Sequence, residues 1–313
     1  MLVPEKTFRK RVLPVLVQYA PFTFALSQKL LASFAAQYPF AEYTVLGRSV
    51  TKHGIFSLSV GEGEEHVLLL AGLSGEDGVQ PLLLYRFFER LCKSLKNDVP
   101  LRAVKFRNTL RGRKITIVPC VNPDAFEIRR YGAVGAGCYT GLVKRAGIAD
   151  YSTWCANARG VNVEHNFNFR HIAVLPNTEE TGGWPSPFSY AGPSPESEAE
   201  TAALTRLCRR EQFRHAVLLN GSGARVFWAA GDSPEGQKDA PMMAKILAAA
   251  GDYTLARKED YINRGCFPEW FACETGKPAF EIAVRDLPHE PTGADFEALY
   301  AAVEEMLVLC SIM

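Results

Sequence analysis

The chain has 313 residues, 47% of them apolar, which suffices for one large α/β domain or two smaller ones with a substantial buried core. Its 35 Lys and Arg residues nearly balance 34 Asp and Glu residues, and a net charge of +1 excludes an overall field that would attract nucleic acid or an anionic surface. No apolar run reaches the roughly 18–20 residues that span a bilayer. We therefore expect no nucleic acid and no membrane as partner, and look for function in a local site.

Residues 1–20 are predicted to form an N-terminal extension ahead of a single domain at residues 21–313. Basic residues precede the apolar string V-L-P-V-L-V at 12–17, but prolines interrupt the segment and no small-residue cleavage site follows it cleanly. The eight cysteines show neither C-x-x-C spacing nor a dense framework, which favours reduced and mostly buried thiols. Both patterns indicate a cytoplasmic protein.

Helices and strands are predicted to alternate along the domain. From the N-terminus, the apolar periodicity predicts a helix at 24–38, strands at 43–46, 55–60 and 67–71, and a helix at 82–95. It then predicts a strand at 114–121, a helix at 197–210, strands at 215–219 and 225–228, a helix at 240–250, a strand at 279–284 and a helix at 295–309. This alternation predicts an α/β fold, a mostly parallel mixed sheet with helices on both faces.

Two stretches fall outside this alternation. The string G-E-G-E at 61–64 predicts a turn. Residues 125–195 show little regular pattern, which is typical of a functional loop or a lid.

Four strings resemble the zinc carboxypeptidase family, and most closely its bacterial branch that cleaves γ-D-glutamyl–diaminopimelate bonds in cell-wall peptides. Y-P-F-A-E-Y-T-V-L-G-R-S-V at 38–50 resembles the family's opening helix and first strand. I-V-P-C-V-N-P-D-A-F at 117–126 resembles V-P-x-x-N-P-D-G, and W-C-A-N-A-R-G-V-N-V at 154–163 is similar to W-K-A-N-x-R-G-V-D-L. Y-A-G-P-S-P-E-S-E-A-E-T at 190–201 resembles Y-x-G-P-x-x-x-S-E-x-E-T. The resemblance covers most of the chain and implies a single-domain carboxypeptidase-like fold.

The resemblance also implies where the zinc ligands would lie. The family carries H-x-x-E after the strand at 67–71, and here Ser74 stands at the histidine position and Asp77 at the glutamate position. Asn220, in N-G-S-G, stands at the position of the second histidine ligand. Serine hydroxyl and asparagine carbonyl oxygens are poor zinc donors. We therefore expect no cofactor, and zinc only if substituted ligands hold it.

The general base implied by the resemblance is replaced as well. Counting thirteen residues from Trp270 places the family's glutamate position on Ala283. Glu281 lies two residues earlier on the same strand, so it faces the same side but is displaced by roughly 6–7 Å. All four positions that carry the family's chemistry are thus replaced.

The peptide-binding positions are mixed. The family's Asn-Arg pair, which grips the substrate's terminal carboxylate, falls on Glu164 and His165. Arg159 and Arg170 flank this pair and are candidates for a bidentate carboxylate anchor. Tyr261 stands where the family has a mobile tyrosine, eight residues before an acidic residue and a tryptophan. These five residues are the predicted substrate-binding set.

Structural roles compete with these functional ones. Asp77 and Asn220 would fill a former metal pocket if they hydrogen-bond to one another or to Ser74. Arg159 is an arginine of the branch motif itself, and Tyr261 would serve equally as a plain cleft aromatic. Residues 122–124, N-P-D, are predicted to shape a turn. Three glutamates are predicted to cap a helix and face solvent: Glu196, Glu198 and Glu200.

Three functions remain open. The leading hypothesis is a catalytically inactive carboxypeptidase-like protein that binds a peptide or muropeptide-like ligand in the former active-site cleft. The alternative is an active metallo-carboxypeptidase or γ-D-glutamyl-diaminopimelate peptidase with substituted ligands, and a further one is an interaction protein with a vestigial cleft. Less favoured are a Ser74–His165–Asp77 hydrolase triad and a Ca²⁺ or Mg²⁺ site that joins Glu164 to the carboxylates of the 76–77 loop.

Overall fold

The computed structural model describes residues 17–75, 78–169, 186–231, 233–256, 266–284 and 291–313. The strands are β1 Glu42–Arg48, β2 Gly54–Val60, β3 Glu62–Ala71, β4 Arg111–Val118, β5 Phe213–Ser222, β6 Arg225–Ala229, β7 Thr254–Leu255 and β8 Ala279–Val284. The helices are α1 Phe24–Gln37, α2 Val79–Asn97, α3 Phe106–Thr109, α4 Pro123–Tyr131, α5 Thr140–Lys144, α6 Ala199–Arg210, α7 Pro234–Gly251, α8 Phe267–Thr275 and α9 Gly293–Cys310. Short 3₁₀ helices cover Gly132–Tyr139 and Val163–His165. Every predicted helix and strand overlaps one of these elements.

These strands form one mixed sheet in the order β1-β2-β4-β3-β5-β8-β6-β7. The four central strands β4, β3, β5 and β8 run parallel, whereas β1 with β2, β2 with β4 and β6 with β8 pair antiparallel. The prediction of a mostly parallel mixed sheet is therefore confirmed. None of the helices in the described ranges is long and apolar enough to cross a membrane.

The core lies on both faces of the sheet, and β3 shows how the sequence specifies this. Val67, Leu69 and Ala71 belong to the apolar cluster that includes residues of α1, α2, α7 and α9. Leu68 and Leu70 belong to the opposite cluster, which includes residues of α6 and α8. Because successive strand residues point to opposite faces, the continuous apolar run from 67 to 71 fills both clusters.

Val17, which lies within the predicted N-terminal extension at 1–20, contacts α2. The Val17 amide donates a hydrogen bond to Glu89 Oε2 at 3.1 Å, and Arg86 Nη1 donates one to the Val17 carbonyl at 2.6 Å. Val17 is fully buried. Where the extension ends and the domain begins stays a prediction.

The turn predicted at 61–64 is wrong in extent, because β3 begins at Glu62 and leaves only Gly61 between β2 and β3. Gly63 makes this possible. A Cβ added to Gly63 would lie 2.2 Å from the Gly112 carbonyl oxygen, so only glycine lets the start of β3 come this close to β4.

The irregular segment predicted at 125–195 begins in fact with a helix. Asn122 is the N-cap of α4, accepting a hydrogen bond from the Ala125 amide at 3.3 Å, and Pro123 occupies the first turn. Asp124 adds a negative charge to that turn, where the helix dipole favours it. N-P-D is therefore a helix start, and the turn predicted there is corrected.

Candidate functional site

The candidate site lies where three neighbouring parallel strands end. Ala71 of β3 is paired with Leu219 of β5, and Leu219 with Ile282 of β8, so the three strands end at one edge of the sheet. Ser74 follows β3, and Asn220 lies near the end of β5. In open α/β sheets this edge is where ligands bind.

The loop that carries Ser74 is held from two sides. Asn122 Nδ2 donates hydrogen bonds to the Leu73 carbonyl at 3.1 Å and to the Cys155 carbonyl at 3.3 Å. A Cβ added to Gly75 would lie 2.5 Å from the Trp154 carbonyl oxygen. These contacts hold together the end of β3, the start of α4 and the segment at 154–155. Ser74, which follows β3, is buried.

Glu164 and Asn220 form the central contact of the site. Asn220 Nδ2 donates a hydrogen bond to Glu164 Oε1 at 2.8 Å. Burial raises the pKa of Glu164 to about 6, although the hydrogen bond from Asn220 acts in the opposite direction. The 3₁₀ turn that carries Glu164 is set by Asn162, whose side chain accepts from the Glu164 amide at 3.0 Å and donates to the Phe188 carbonyl at 2.6 Å.

This contact bears on the structural role predicted for Asn220. The partner that the structure gives Asn220 is Glu164, from the peptide-binding positions, across 56 residues of sequence. Asp77, the other predicted partner, lies outside the described residues, as do Arg170 and Tyr261. The roles predicted for these three stay predictions.

His165 contacts a cysteine that the sequence did not single out. Its Nδ1 lies 4.0 Å from Cys266 Sγ. Cys266 is the N-cap of α8 and is 7% exposed, and Pro268 in the first turn helps to start that helix. The string C-F-P-E marks a helix start, but nothing local in the sequence places it beside His165.

Arg159 pairs with a buried carboxylate. Its Nη1 lies 3.7 Å from Glu198 Oε1. Glu198 also accepts hydrogen bonds from Asn157 Nδ2 and Ser197 Oγ, both at 2.8 Å. This network supports the structural role for Arg159, while a role as carboxylate anchor stays a prediction.

Three glutamates are predicted to cap a helix and face solvent, and the exposure is wrong for two of them. Glu198 is the N-cap residue of α6 and Glu200 lies in its first turn, but both are 0% exposed. Glu200 Oε1 accepts from the Val50 amide at 3.2 Å, and its Oε2 has no hydrogen-bond partner in the described part of the chain. Burial, with the negative charge of Asp124, raises the pKa of Glu200 to about 8. Glu196 is more accessible and forms an ion pair with Arg209 at 2.7 Å.

Asp124 is the charged centre of this buried cluster. It accepts hydrogen bonds from Ser49 Oγ at 2.5 Å and from the Thr51 amide at 3.2 Å, and it also contacts the Thr51 hydroxyl. His53 Nδ1 lies 3.3 Å from Asp124 Oδ1. These contacts tie the β1–β2 connection to α4, which in turn supports the Ser74 loop.

The predicted base position and its neighbour lie on β8. Ala283 is paired with Arg225 of β6, and Glu281 is paired with Leu218 of β5 and Phe227 of β6. Ala283 is buried and offers a methyl group where the resemblance implies a carboxylate. Glu281 is also buried, and its Oε1 lies 3.7 Å from a Cβ built on Gly221, so its carboxylate approaches β5 next to Asn220.

The donors present do not fit a catalytic zinc. Of the three ligand positions, the structure describes a serine hydroxyl at Ser74 and, at Asn220, a carboxamide whose nitrogen is bound to Glu164. Within the described ranges, no group of three or more His, Cys, Asp or Glu side chains is arranged to hold a metal ion. No step through zinc is therefore derived for this chain.

Known proteins resemble this chain over most of its length. The sequence profile described as "Zinc carboxypeptidase" matches residues 28–274. Gamma-D-glutamyl-L-diamino acid endopeptidase 1 of Lysinibacillus sphaericus is 19% identical over 285 residues, which cover 89% of this chain and 69% of that protein.

Solved structures share the fold. Bovine thrombin-activatable fibrinolysis inhibitor, in complex with tick carboxypeptidase inhibitor, has a TM-score of 0.71 at 15% identity and covers 93% of this chain and 96% of its own. Murein-tripeptide amidase MpaA from Escherichia coli O157 has a TM-score of 0.50 at 20% identity and covers 85% of this chain and 91% of its own.

Proposed function

We propose that this chain, which belongs to the zinc carboxypeptidase family, binds a peptide or cell-wall peptide fragment in its cleft without hydrolysing it. The hydrogen bond between Asn220 and Glu164 carries this proposal. It joins a former zinc-ligand position to a former substrate-binding position, so the two side chains satisfy each other without a metal.

The residues at the other metal-ligand and base positions also support binding without hydrolysis. Hydrolysis in this family needs a metal-bound water and a base to take its proton. Ser74 supplies a hydroxyl at one metal position, and Ala283 supplies no proton acceptor at the base position. Polar groups nevertheless remain at the strand ends, where a ligand backbone would find hydrogen-bond partners in Asn220, Glu164 and His165.

The ligand class is inferred from the relatives. One relative is, by name, an endopeptidase acting on γ-D-glutamyl-L-diamino acid bonds, and one structural neighbour is a murein-tripeptide amidase. A peptide that contains a γ-D-glutamyl–diamino acid unit is therefore the first ligand to test. His165, with Arg159 or Arg170, would contact its carboxylates.

The test measures binding and hydrolysis on the same samples. Calorimetric titration with a γ-D-glutamyl-diaminopimelate peptide should show saturable binding, while mass spectrometry of the mixture shows intact peptide. Asn220→Ala, which removes the hydrogen bond to the partly buried Glu164 carboxylate, should weaken binding about tenfold. Asn97→Ala is the matched control, because Asn97 donates to the Lys93 carbonyl on the exposed side of α2 and should leave binding unchanged.

The alternative function is an active peptidase that holds zinc through substituted ligands, and the name of the Lysinibacillus relative favours it. Zinc-dependent release of peptide fragments would establish that alternative. Absence of binding with and without zinc would instead indicate a vestigial cleft in an interaction protein.

We also propose a cytoplasmic location. None of the eight cysteines, all of which the structure describes, forms a disulfide, and six of them are buried. Thiols outside disulfides suit a reducing compartment. Fractionation of the producing cells should place the protein with a cytoplasmic marker, and recovery in the culture medium would contradict this.

A further inference from the structure

Cys266 and His165 form a thiol–imidazole pair, and Cys266 has no part in the zinc chemistry or the peptide binding considered above. The two residues are 101 positions apart, and the fold brings Cys266 Sγ to 4.0 Å from His165 Nδ1. His165 belongs to the 3₁₀ turn that also carries Glu164, so the pair lies beside the contact between Glu164 and Asn220.

The position of Cys266 favours the ionised form of its thiol. It is the N-cap of α8, a nine-residue helix, and its side chain makes no capping hydrogen bond to the helix backbone. The partial positive charge at a helix N-terminus stabilises a thiolate, and an adjacent imidazole accepts the thiol proton. Each effect alone is modest, but here both act on one sulfur atom.

Burial raises the pKa of four other thiols, with further increases from nearby carboxylates at some: Cys92, Cys120, Cys208 and Cys310. Cys266 is also buried, so burial opposes its ionisation too, and the helix N-terminus and His165 act against that effect. Cys138 and Cys273 are exposed. The chain therefore contains protected thiols and accessible thiols against which Cys266 can be compared.

Three glutamates on the elements that pack around Cys266 and His165 affect the charges of the pair in opposite ways. Glu269 lies in the first turn of α8, Glu164 precedes His165, and Glu281 lies on β8, against which α8 packs. Their negative charges stabilise an imidazolium and oppose a thiolate. A proton transfer from Cys266 to His165 keeps the net charge of the pair at zero, so these carboxylates oppose the pair less than they would an isolated thiolate.

We infer that Cys266 is a nucleophilic thiol activated by His165, and that it makes the cleft a site of covalent modification by small α,β-unsaturated carbonyl compounds. Nδ1 of His165 takes the proton of the thiol, and the sulfur attacks the β-carbon of the acceptor. A sulfur–carbon bond forms as the carbon–carbon double bond opens, and the proton is delivered to the α-carbon. No leaving group or redox partner is needed, and the inference does not depend on peptide binding.

The test labels the native full-length chain with acrylamide, a small acceptor suited to a cysteine of low exposure. Short pulses at pH values from 5 to 9 are quenched with excess thiol, the protein is denatured, and the remaining cysteines are capped with heavy acrylamide. Mass spectrometry then gives a rate for each cysteine. At pH 6, Cys266 should react about tenfold faster than Cys138 and Cys273, because a larger fraction of it is thiolate.

His165→Ala should lower the rate at Cys266 about tenfold at pH 6 and leave Cys138 and Cys273 unchanged. Protection of the buried Cys92 in the same sample shows that the variant is folded. If His165→Ala does not fold, His165→Gln replaces it. The pH profile of labelling at Cys266 in the wild type tests the inference without any variant. The inference is overturned if Cys266 stays unlabelled in the native chain or reacts no faster than the exposed cysteines. It is also overturned if the labelling rate at Cys266 is the same in the His165 variant as in the wild type.

Discussion

Glu164 and Asn220 show how replacements at separate positions combine. A glutamate alone, where the resemblance implies an asparagine, would leave a partly buried carboxylate among polar groups. Asn220, at a position where the resemblance implies a metal ligand, donates to that carboxylate at 2.8 Å. Under the proposed peptide binding, the protonation state of Glu164 would determine which ligands the cleft accepts.

Glu164 should make carboxylate binding depend on pH. Burial raises its pKa to about 6, so near pH 7.5 it is mostly ionised and repels a ligand carboxylate. As pH falls through 6, Glu164 gains a proton and the repulsion disappears. Affinity for a peptide with a free C-terminal carboxylate should therefore rise several-fold between pH 7.5 and 5.5, as measured by calorimetry.

The same peptide with a C-terminal amide is the control for that measurement, because it lacks the repelled charge. Glu164→Gln should remove most of the difference between the two pH values. Equal pH dependence for the acid and the amide would show that Glu164 does not contact the ligand carboxylate.

Glu200 should make folding stability fall with rising pH. Its folded pKa of about 8 lies above the ordinary 4.5, so between these values the folded state holds a proton that the unfolded state has released. Stability contributed by the protonated carboxyl is complete below pH 4.5 and is lost progressively up to pH 8. Glu200→Gln, which mimics the neutral form, should remove this slope of at most about 1.4 kcal/mol per pH unit.

Two buried histidines have the opposite effect on the pH dependence of folding stability, and they do so at lower pH. Burial lowers the pKa of His66 and of His215 to about 4, so they make stability rise between pH 4 and 6.5. The slope is therefore compared from pH 6.5 to 8, above the titration of these histidines and most of that of Glu164. Glu196→Gln is the matched control, since Arg209 lowers the pKa of Glu196 and this variant should keep the wild-type slope. An unchanged slope in Glu200→Gln, by denaturant titration, would contradict the assignment.

At the scale of elements, α4 holds the site together. Its N-cap residue, Asn122, also binds the carbonyls of Leu73 and Cys155, and so connects the end of β3 to the segment that follows α5. Asp124, in the first turn of the same helix, binds the β1–β2 connection. One helix start therefore links three segments: the end of β3, the segment at 154–155 and the β1–β2 connection.

Asn122→Ala should destabilise the fold more than loss of an ordinary helix cap. The change removes one capping bond and leaves two buried carbonyl groups with one partner fewer, which we expect to lower the free energy of unfolding by about 3 kcal/mol. Thr23→Ala is the comparison, because Thr23 caps α1 through a single bond to the Leu26 amide, worth about 1 kcal/mol. Equal losses in chemical denaturation would show that the bonds to Leu73 and Cys155 contribute nothing.

At the scale of the whole molecule, the sheet was predictable because its apolar runs are local patterns. The strand at 67–71 could be identified from five consecutive apolar residues, and the structure buries all five. The helix that starts at Asn122 is predictable in principle, since Asn followed by Pro is a helix start, but the same residues also favour a turn, which is what our sequence analysis predicts.

The site was less predictable, because its contacts join residues that are distant in sequence. The bond between Glu164 and Asn220 spans 56 positions, and the contact between His165 and Cys266 spans 101. The sequence predicts Glu198 and Glu200 to face solvent, because spacing at a helix start does not reveal which neighbours cover it. Asn157 and Val50, from other segments, are the partners that make their burial possible.

We propose that the carboxypeptidase fold persists here without a bound zinc. Elemental analysis of protein purified without chelator, then incubated with zinc and desalted, tests this directly. We predict no specifically bound zinc, because Ser74 and Asn220 are poor zinc donors and Asn220 is bonded to Glu164. Close to one zinc per chain, lost on Asp77→Ala, would contradict the account and favour an active peptidase.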